Sequence, residues 1–282
     1  MSPSFAGRLR AAIAERGPFC VGIDPSAELL ADWGLGHDAE GIRRFGEVAV
    51  AAAAGVVAAV KPQSAYFERH GWRGMAALAE VCAGARAAGL MVVLDVKRGD
   101  IASTAAAYAQ AYLGPEAPVP VDAITTLPYM GLAALSPMVE TAQAGAGGVF
   151  VVVRSSNPEG RLVQTARTTA GPAVEAALVE AIGRCNAAAA LPGEFGPVGA
   201  VFAALHDDPP GVDLAAMNGP FLVPGLGHQG GSAAQAAALF AGCTDRVLVS
   251  ASRSVLGAGP EPVKLRDEMS RQAAEAAAAF GF

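Results

Sequence analysis

Four histidines, four cysteines and two tryptophans are all that 282 residues offer of the side chains that most often ligate metals or stack on bases. The cysteines (Cys20, Cys82, Cys185 and Cys243) lie far apart and form no Cys-x-x-Cys pair. That argues against a disulfide framework, a zinc ribbon or a dithiol centre, and for ordinary buried or half-buried thiols in a reducing compartment. His37, His70, His206 and His228 share no metal-ligand spacing, so a zinc site has no donor set. Charge is sparse too, at 16% of residues, and 20 Lys and Arg against 26 Asp and Glu leave a net charge of -6. Such a balance lacks the basic excess that nucleic acid or an anionic membrane requires. An anionic small substrate would need its Lys and Arg placed locally. The longest uncharged apolar run, Val48 to Val60, is 13 residues counted from 48 through 60, against the ~20 that cross a bilayer. Met1 to Arg16 is polar and amphipathic rather than a secretory leader. A soluble, cytoplasmic protein with neither a nucleic-acid nor a membrane partner is expected.

What the chain does have is apolar residues, 52% of the total, and at this length they can bury a core without a disulfide or a metal. Short β-branched runs alternate with longer Ala-rich stretches. The runs predict strands at Phe19–Ile23, Val57–Lys61, Met91–Lys97, Val121–Thr125, Gly148–Val153, Pro197–Ala203, Pro220–Val223 and Arg246–Ser250. Helices are expected near Pro3–Glu15, Ala39–Gly55, Trp72–Gly89, Ala102–Leu113, Gly131–Ala144, Pro172–Ala190, Leu214–Asn218, Ser232–Ala241 and Val263–Phe280. Strands such as "GGVFVVV" are apolar without alternation, as parallel strands covered by helices are. Eight βα units favour an α/β fold closed as one (β/α)8 TIM barrel. No linker divides the chain, so residues 1–282 are expected to form one domain.

In such a barrel the active site lies at the C-terminal ends of the strands. The first expected strand runs into Asp24, the second carries Lys61, and the third carries Asp95 and Lys97 and leads to Asp100 in "VVLDVKRGDI". Side chains two apart on a strand share a face, so Asp95 and Lys97 point together toward the barrel interior. Buried charges come paired or functional. The plain alternative is a structural ion pair with Asp100 as N-cap of the next helix, which Asp24 and Lys61 on neighbouring strands argue against. The Gly-rich turn "VPGLGHQGG" after the seventh strand, containing Pro224, Gly227 and Gln229, sits where this architecture often holds phosphate. Arg253 beyond the eighth strand adds a forked donor. Asp207 and Asp208 beside Pro209 and Pro210 read as a solvated loop, and Trp33, Trp72 and the tyrosines as packing groups.

At "LDVKRGDI" the chain resembles the orotidine 5'-phosphate decarboxylase family, whose signature is Asp-x-Lys-x-x-Asp-Ile at the end of the third strand. "VGIDPS", "VKPQSAYFE", "DVKRGDIASTAAAYA", "VRSSNPEG", "VPGLGHQGG" and "SASRS" occur in family order, with most similarity to its longer bacterial branch (type 2). The resemblance implies conversion of orotidine 5'-phosphate to uridine 5'-phosphate and CO2 in pyrimidine biosynthesis, without metal or other cofactor. It implies that Lys97 protonates C6 of the pyrimidine, that Asp95 lies against the substrate carboxylate, and that Asp24 and Lys61 bind the ribose hydroxyls. Ser156 would contact the pyrimidine; Gln229 and Arg253, with Pro224 and Gly227 of the turn, would hold the phosphate. Asp100, Ile101 and Thr104 would reach into the neighbouring site of an obligate homodimer. Leu127 stands where this branch usually has Asn, and "VFAALHDD" replaces its usual "VGAT", so altered loop packing is expected there. Related barrels reuse the signature for magnesium-dependent sugar-phosphate chemistry, with a carboxylate metal ligand where this chain has Lys61; a cation there repels Mg²⁺. A barrel that binds phosphate ligands without turnover is the other alternative, against which the intact Asp95, Lys97 and Asp100 set speaks.

Overall fold

The computed structural model describes residues 3–145, 147–204, 211–225 and 231–282. Eight strands run β1 (Phe19–Ile23), β2 (Ala59–Pro62), β3 (Met91–Arg98), β4 (Ala123–Thr126), β5 (Gly148–Arg154), β6 (Val198–Phe202), β7 (Phe221–Val223) and β8 (Val247–Ala251). Each pairs in parallel with the next, and β8 pairs back onto β1 to close the barrel. The expected α/β barrel is therefore the fold observed. Helices pack outside it: α2 (Ala27–Asp32), α3 (Ala39–Ala53), α4 (Ser64–Glu68), α5 (Gly71–Ala87), α6 (Ala102–Tyr112), α7 (Ser136–Ala144), α8 (Arg161–Gln164), α9 (Val174–Ala189), α10 (Ala233–Leu239), α11 (Arg253–Leu256) and α12 (Pro262–Phe280). One more, α1 (Phe5–Arg16), precedes β1. Among the described residues no helix is long and apolar enough to cross a membrane.

Two apolar layers follow from strand alternation. Outward-facing Val21, Val60, Val92, Leu94 and Val149 pack with the helices in one cluster. Inward-facing Cys20, Ala59, Met91, Val93, Ala123, Phe150, Leu222 and Leu248 form a second, together with Phe5, Leu9 and Ile13 of α1. That helix, capped by Ser4 accepting from the Gly7 N–H, thus stoppers the N-terminal end of the lumen. The Phe5 ring meets Phe150 edge-on at 6.3 Å, and a Cβ at position 148 would come within 2.3 Å of that ring. Gly148 is the residue that lets the stopper seat.

Four expectations need correction. The stretch 214–218 is only a 3-10 turn, Ala215–Met217, because the Asp213 carboxylate ties up the Ala215 N–H, Asn218 turns left-handed and five residues cannot sustain an α-helix. Residues 132–135 also form a 3-10 turn, and α7 starts only at Ser136, where Pro137 suits a first helical turn. Trp33 packs as expected, on Phe45 at 4.1 Å with its indole N–H on the Leu256 carbonyl. Trp72 and Tyr129 do not; they stand 73% and 85% exposed, the former under the Arg73 guanidinium.

All four cysteines are free thiols. Burial pushes Cys20 and Cys82 up to about 12 and Cys243 to about 11, so their thiolate population at pH 8 is negligible. Iodoacetamide at pH 8 should therefore modify half-buried Cys185 first in the native protein, with the other three labelled only on unfolding, as read by mass spectrometry. Rapid native labelling of Cys20 would mean that the lumen opens.

Candidate active site

Alternation that places Ala59, Met91, Val93 and Ala123 in the lumen continues one layer higher with Lys61 on β2, Asp95 on β3 and Thr125 on β4. All three are buried, and Asp95 is their hub. Its Oδ2 accepts from Lys61 Nζ at 2.9 Å and Gln63 Nε2 at 3.0 Å. Its Oδ1 accepts from Lys97 Nζ at 2.6 Å and the Thr125 hydroxyl at 2.8 Å. Burial would raise the Asp95 carboxyl, but the ammonium groups of Lys61 and Lys97 overcome it and hold the acid well below the usual range. Burial would likewise depress Lys61; Asp95 and Asp24 instead hold it above an ordinary lysine. At neutral pH the site is a fixed carboxylate between two cations. The lysines differ in access: the Lys97 side chain is 46% exposed and that of Lys61 11%. Lys97 is the more open of the two to a molecule lying over the barrel mouth.

Lys97 gets there by an irregular backbone. Leu94 still faces Ile124, but the next pair is Arg98 with Thr126, so β3 bulges between them, and Lys97 itself has φ 45°. Arg98 then turns outward, donating to the Val96 carbonyl at 3.1 Å and to Glu68 of α4 at 2.5 Å, with its guanidinium over the Tyr108 ring. Gly99 follows under the β4 loop, where an added Cβ would sit 2.4 Å from the Leu127 carbonyl oxygen. Leu127 contributes its backbone here, its N–H donating to the Arg98 carbonyl at 2.9 Å. Leu127 itself stands 40% exposed.

Asp24 follows β1, and its buried Oδ1 has no hydrogen-bond partner among the described residues. Ser252, just after β8, has a buried Oγ in the same condition. Such atoms on the rim are where ligand hydroxyls or phosphate oxygens would complete the bonding. Ser156 and Pro224 are half-buried beyond β5 and β7, and Arg253 is exposed at the start of α11. Gly227 and Gln229 of the expected phosphate turn lie outside the described residues, as do Asp207, Asp208, His206 and His228. Asp100 stands apart from the Asp95 hub; its carboxylate accepts from the Ile101 N–H at 2.8 Å. It is not the helix cap that the plain reading made it, since Ile101 holds the N-cap position of α6. Ile101 and Thr104 are exposed beside it.

A lysine–aspartate–lysine chain at the mouth of this barrel can now be set beside known proteins. Residues 17–267 match the model of the Orotidine 5'-phosphate decarboxylase / HUMPS family. The chain belongs to the orotidine 5'-phosphate decarboxylase family. Membership makes it a carboxy-lyase of that type. An orotidine 5'-phosphate decarboxylase from Salinispora arenicola is 51% identical over 277 residues, 98% of each chain. A crystal structure described as an orotidine 5'-phosphate decarboxylase, from Streptomyces avermitilis, superposes with TM-score 0.94 at 45% identity, covering 100% of this chain and 98% of that one. The Methanocaldococcus jannaschii decarboxylase, solved with the inhibitor BMP, is 15% identical at TM-score 0.63 over 92% of this chain and 97% of its own, a likeness of fold. Two residues of the decarboxylase hub went unnoticed in the sequence, Gln63 and Thr125. The signals were the Gln in "VKPQS" and a Thr two positions beyond lumen-facing Ala123.

Proposed function

We propose that Lys97 is the proton donor of an orotidine 5'-phosphate decarboxylation that serves uridine 5'-phosphate synthesis. The observation that carries this reading is Asp95, fully occupied by four donors, beside a Lys97 that is much more open to the mouth than Lys61. The C6–carboxylate bond breaks, CO2 leaves, and the electron pair left at C6 takes a proton from the Lys97 ammonium. The neutral amine is reprotonated from solvent. Lys97 stabilises charge as it develops. Asp95 faces the departing carboxylate; two such groups ~4 Å apart repel by about 4 kcal/mol at an effective dielectric of 20, and only one of them disappears. Distant grip on the phosphate by Arg253 and the turn with Pro224, Gly227 and Gln229 offsets that repulsion. Asp24 and Lys61 take the ribose hydroxyls, and Ser156 the pyrimidine. No cofactor is needed in this scheme, and among the described residues no cluster of three or more His, Cys, Asp or Glu side chains could hold a metal. The whole chain acts as one domain in the cytoplasm. Loss of orotidine 5'-phosphate absorbance in the presence of EDTA tests the reaction; uridine 5'-phosphate binding without turnover would leave only a phosphate-binding barrel.

The partner is a second copy. Ile101, Leu127, Tyr129 and Met130 are all exposed large apolar residues on the β3 and β4 loops, beside Asp100 and Thr104, which would complete the neighbour's site. Shared sites make a sharp forecast. Lys97→Ala and Asp100→Ala homodimers should each be inactive, while unfolding and refolding them together should restore about a quarter of wild-type activity through heterodimers with one intact site. No recovery on mixing would show that Asp100 serves its own chain.

A further inference from the structure

Thr125 is completely buried on the lumen face of β4, and its hydroxyl acts in two directions at once. The oxygen accepts from the Lys97 backbone N–H at 3.0 Å, while the proton goes to Asp95 Oδ1 at 2.8 Å. Both bonds fall at the place where β3 leaves its register with β4. A regular ladder would supply the acceptor for that N–H from a strand carbonyl; at the bulge a side chain does so. The residue it holds is in the left-handed region at φ 45°, which a non-glycine residue keeps only when its surroundings over-determine it. A single hydroxyl can accept from one neighbour and donate to the next, whereas a methyl of the same size can do neither.

We propose that Thr125 is a positioning residue of the decarboxylation, fixing the Lys97 backbone and Asp95 carboxylate relative to each other so that the ammonium is held against the reacting carbon. The proposal rests on Lys97 being the proton donor. It differs from a packing role, because the bulge presents Lys97 to the mouth while Arg98 is tied back to Glu68 and Val96. With Arg98 so anchored, the Thr125 bond fixes the amide plane through which Lys97 enters the site.

Thr125→Val keeps the shape and removes the hydroxyl; Thr125→Ser keeps the hydroxyl. The valine variant should lose kcat by roughly 10- to 100-fold, with KM and the Kd for uridine 5'-phosphate held within about threefold, as misplacement of a reacting group does. The serine variant should recover kcat to within about threefold of wild type. Thr125→Ala repeats the test should valine not fold, and in the wild type the Lys97 amide should show protection from hydrogen exchange. Full kcat in either hydroxyl-free variant, equal losses in valine and serine variants, or an unprotected Lys97 amide would each overturn the proposal. Wild type that fails to decarboxylate would instead defeat the reaction itself, which the parallel wild-type assay separates.

Discussion

Replacing Lys97 by alanine should lower kcat by about 10⁴-fold or more, combining loss of a general acid with loss of a preorganised cation at the developing charge. The variant should still fold, because the Lys97 side chain is half-exposed and Asp95 keeps Lys61, Gln63 and Thr125 as donors. Binding of uridine 5'-phosphate should survive within about tenfold, since most of its affinity is assigned to the remote phosphate grip. Turnover within 100-fold of wild type would remove Lys97 from the mechanism. Lys61 could not take over, being buried on the far oxygen of Asp95.

The second large effect concerns Asp95. Asparagine there has the right shape and the wrong polarity: each native oxygen accepts two donors, so an amide NH2 must face two of them. Asp95→Asn should lower kcat by roughly 10³-fold, yet it also removes the carboxylate that opposes the substrate's own. KM for orotidine 5'-phosphate should therefore fall alongside kcat, the signature of lost ground-state strain. An unchanged KM would show that the repulsion contributes nothing. The fold should suffer as well, by about 3–5 kcal/mol, because Lys61 is left as a buried cation without its partner. The acid side of the stability profile carries the same information. Because the folded carboxyl lies well below the ~3.9 of an unfolded aspartate, its charge stabilises the fold fully above about pH 4, and that contribution is lost as pH falls through the depressed folded value. The stability gap between wild type and Asp95→Asn should thus narrow below about pH 4, as urea unfolding would show.

The barrel was legible because its strands are unbroken apolar runs; β1 coincides with its expected span and most other boundaries shift by a residue or two. The charges were legible because strand alternation assigns Lys61 and Asp95 to the lumen without any tertiary information. Alternation alone also puts Lys97 on that side, but the structure brings it there by a bulge and a positive φ, and a lysine carries no mark of either. Thr125 and Gln63 were missed for a related reason: a polar residue near a strand looks the same whether it packs or holds a catalytic group. Asp100 was given to the neighbouring site by the resemblance alone, since within one chain its half-buried carboxylate accepts only from the adjacent Ile101 N–H among the described residues. The short turn at Ala215–Met217 reads as helical in sequence, while the Asp213 bond to the Ala215 N–H and the left-handed Asn218 that limit it act only in three dimensions.

The stoppered lumen has a consequence for traffic. Beneath Asp95 the barrel is filled by Met91, Val93, Ala123, Phe150, Leu222 and Leu248 and closed by Phe5, Leu9 and Ile13. The one thiol among them, Cys20, is held at about 12 and is no relay for protons near neutrality. Among the described residues Lys97 therefore has a single door, the mouth of the barrel. On the proposed mechanism carbon dioxide, nucleotide and the proton that recharges the amine would all pass the mouth, so each cycle would end with one exchange at the rim rather than a current running through the barrel.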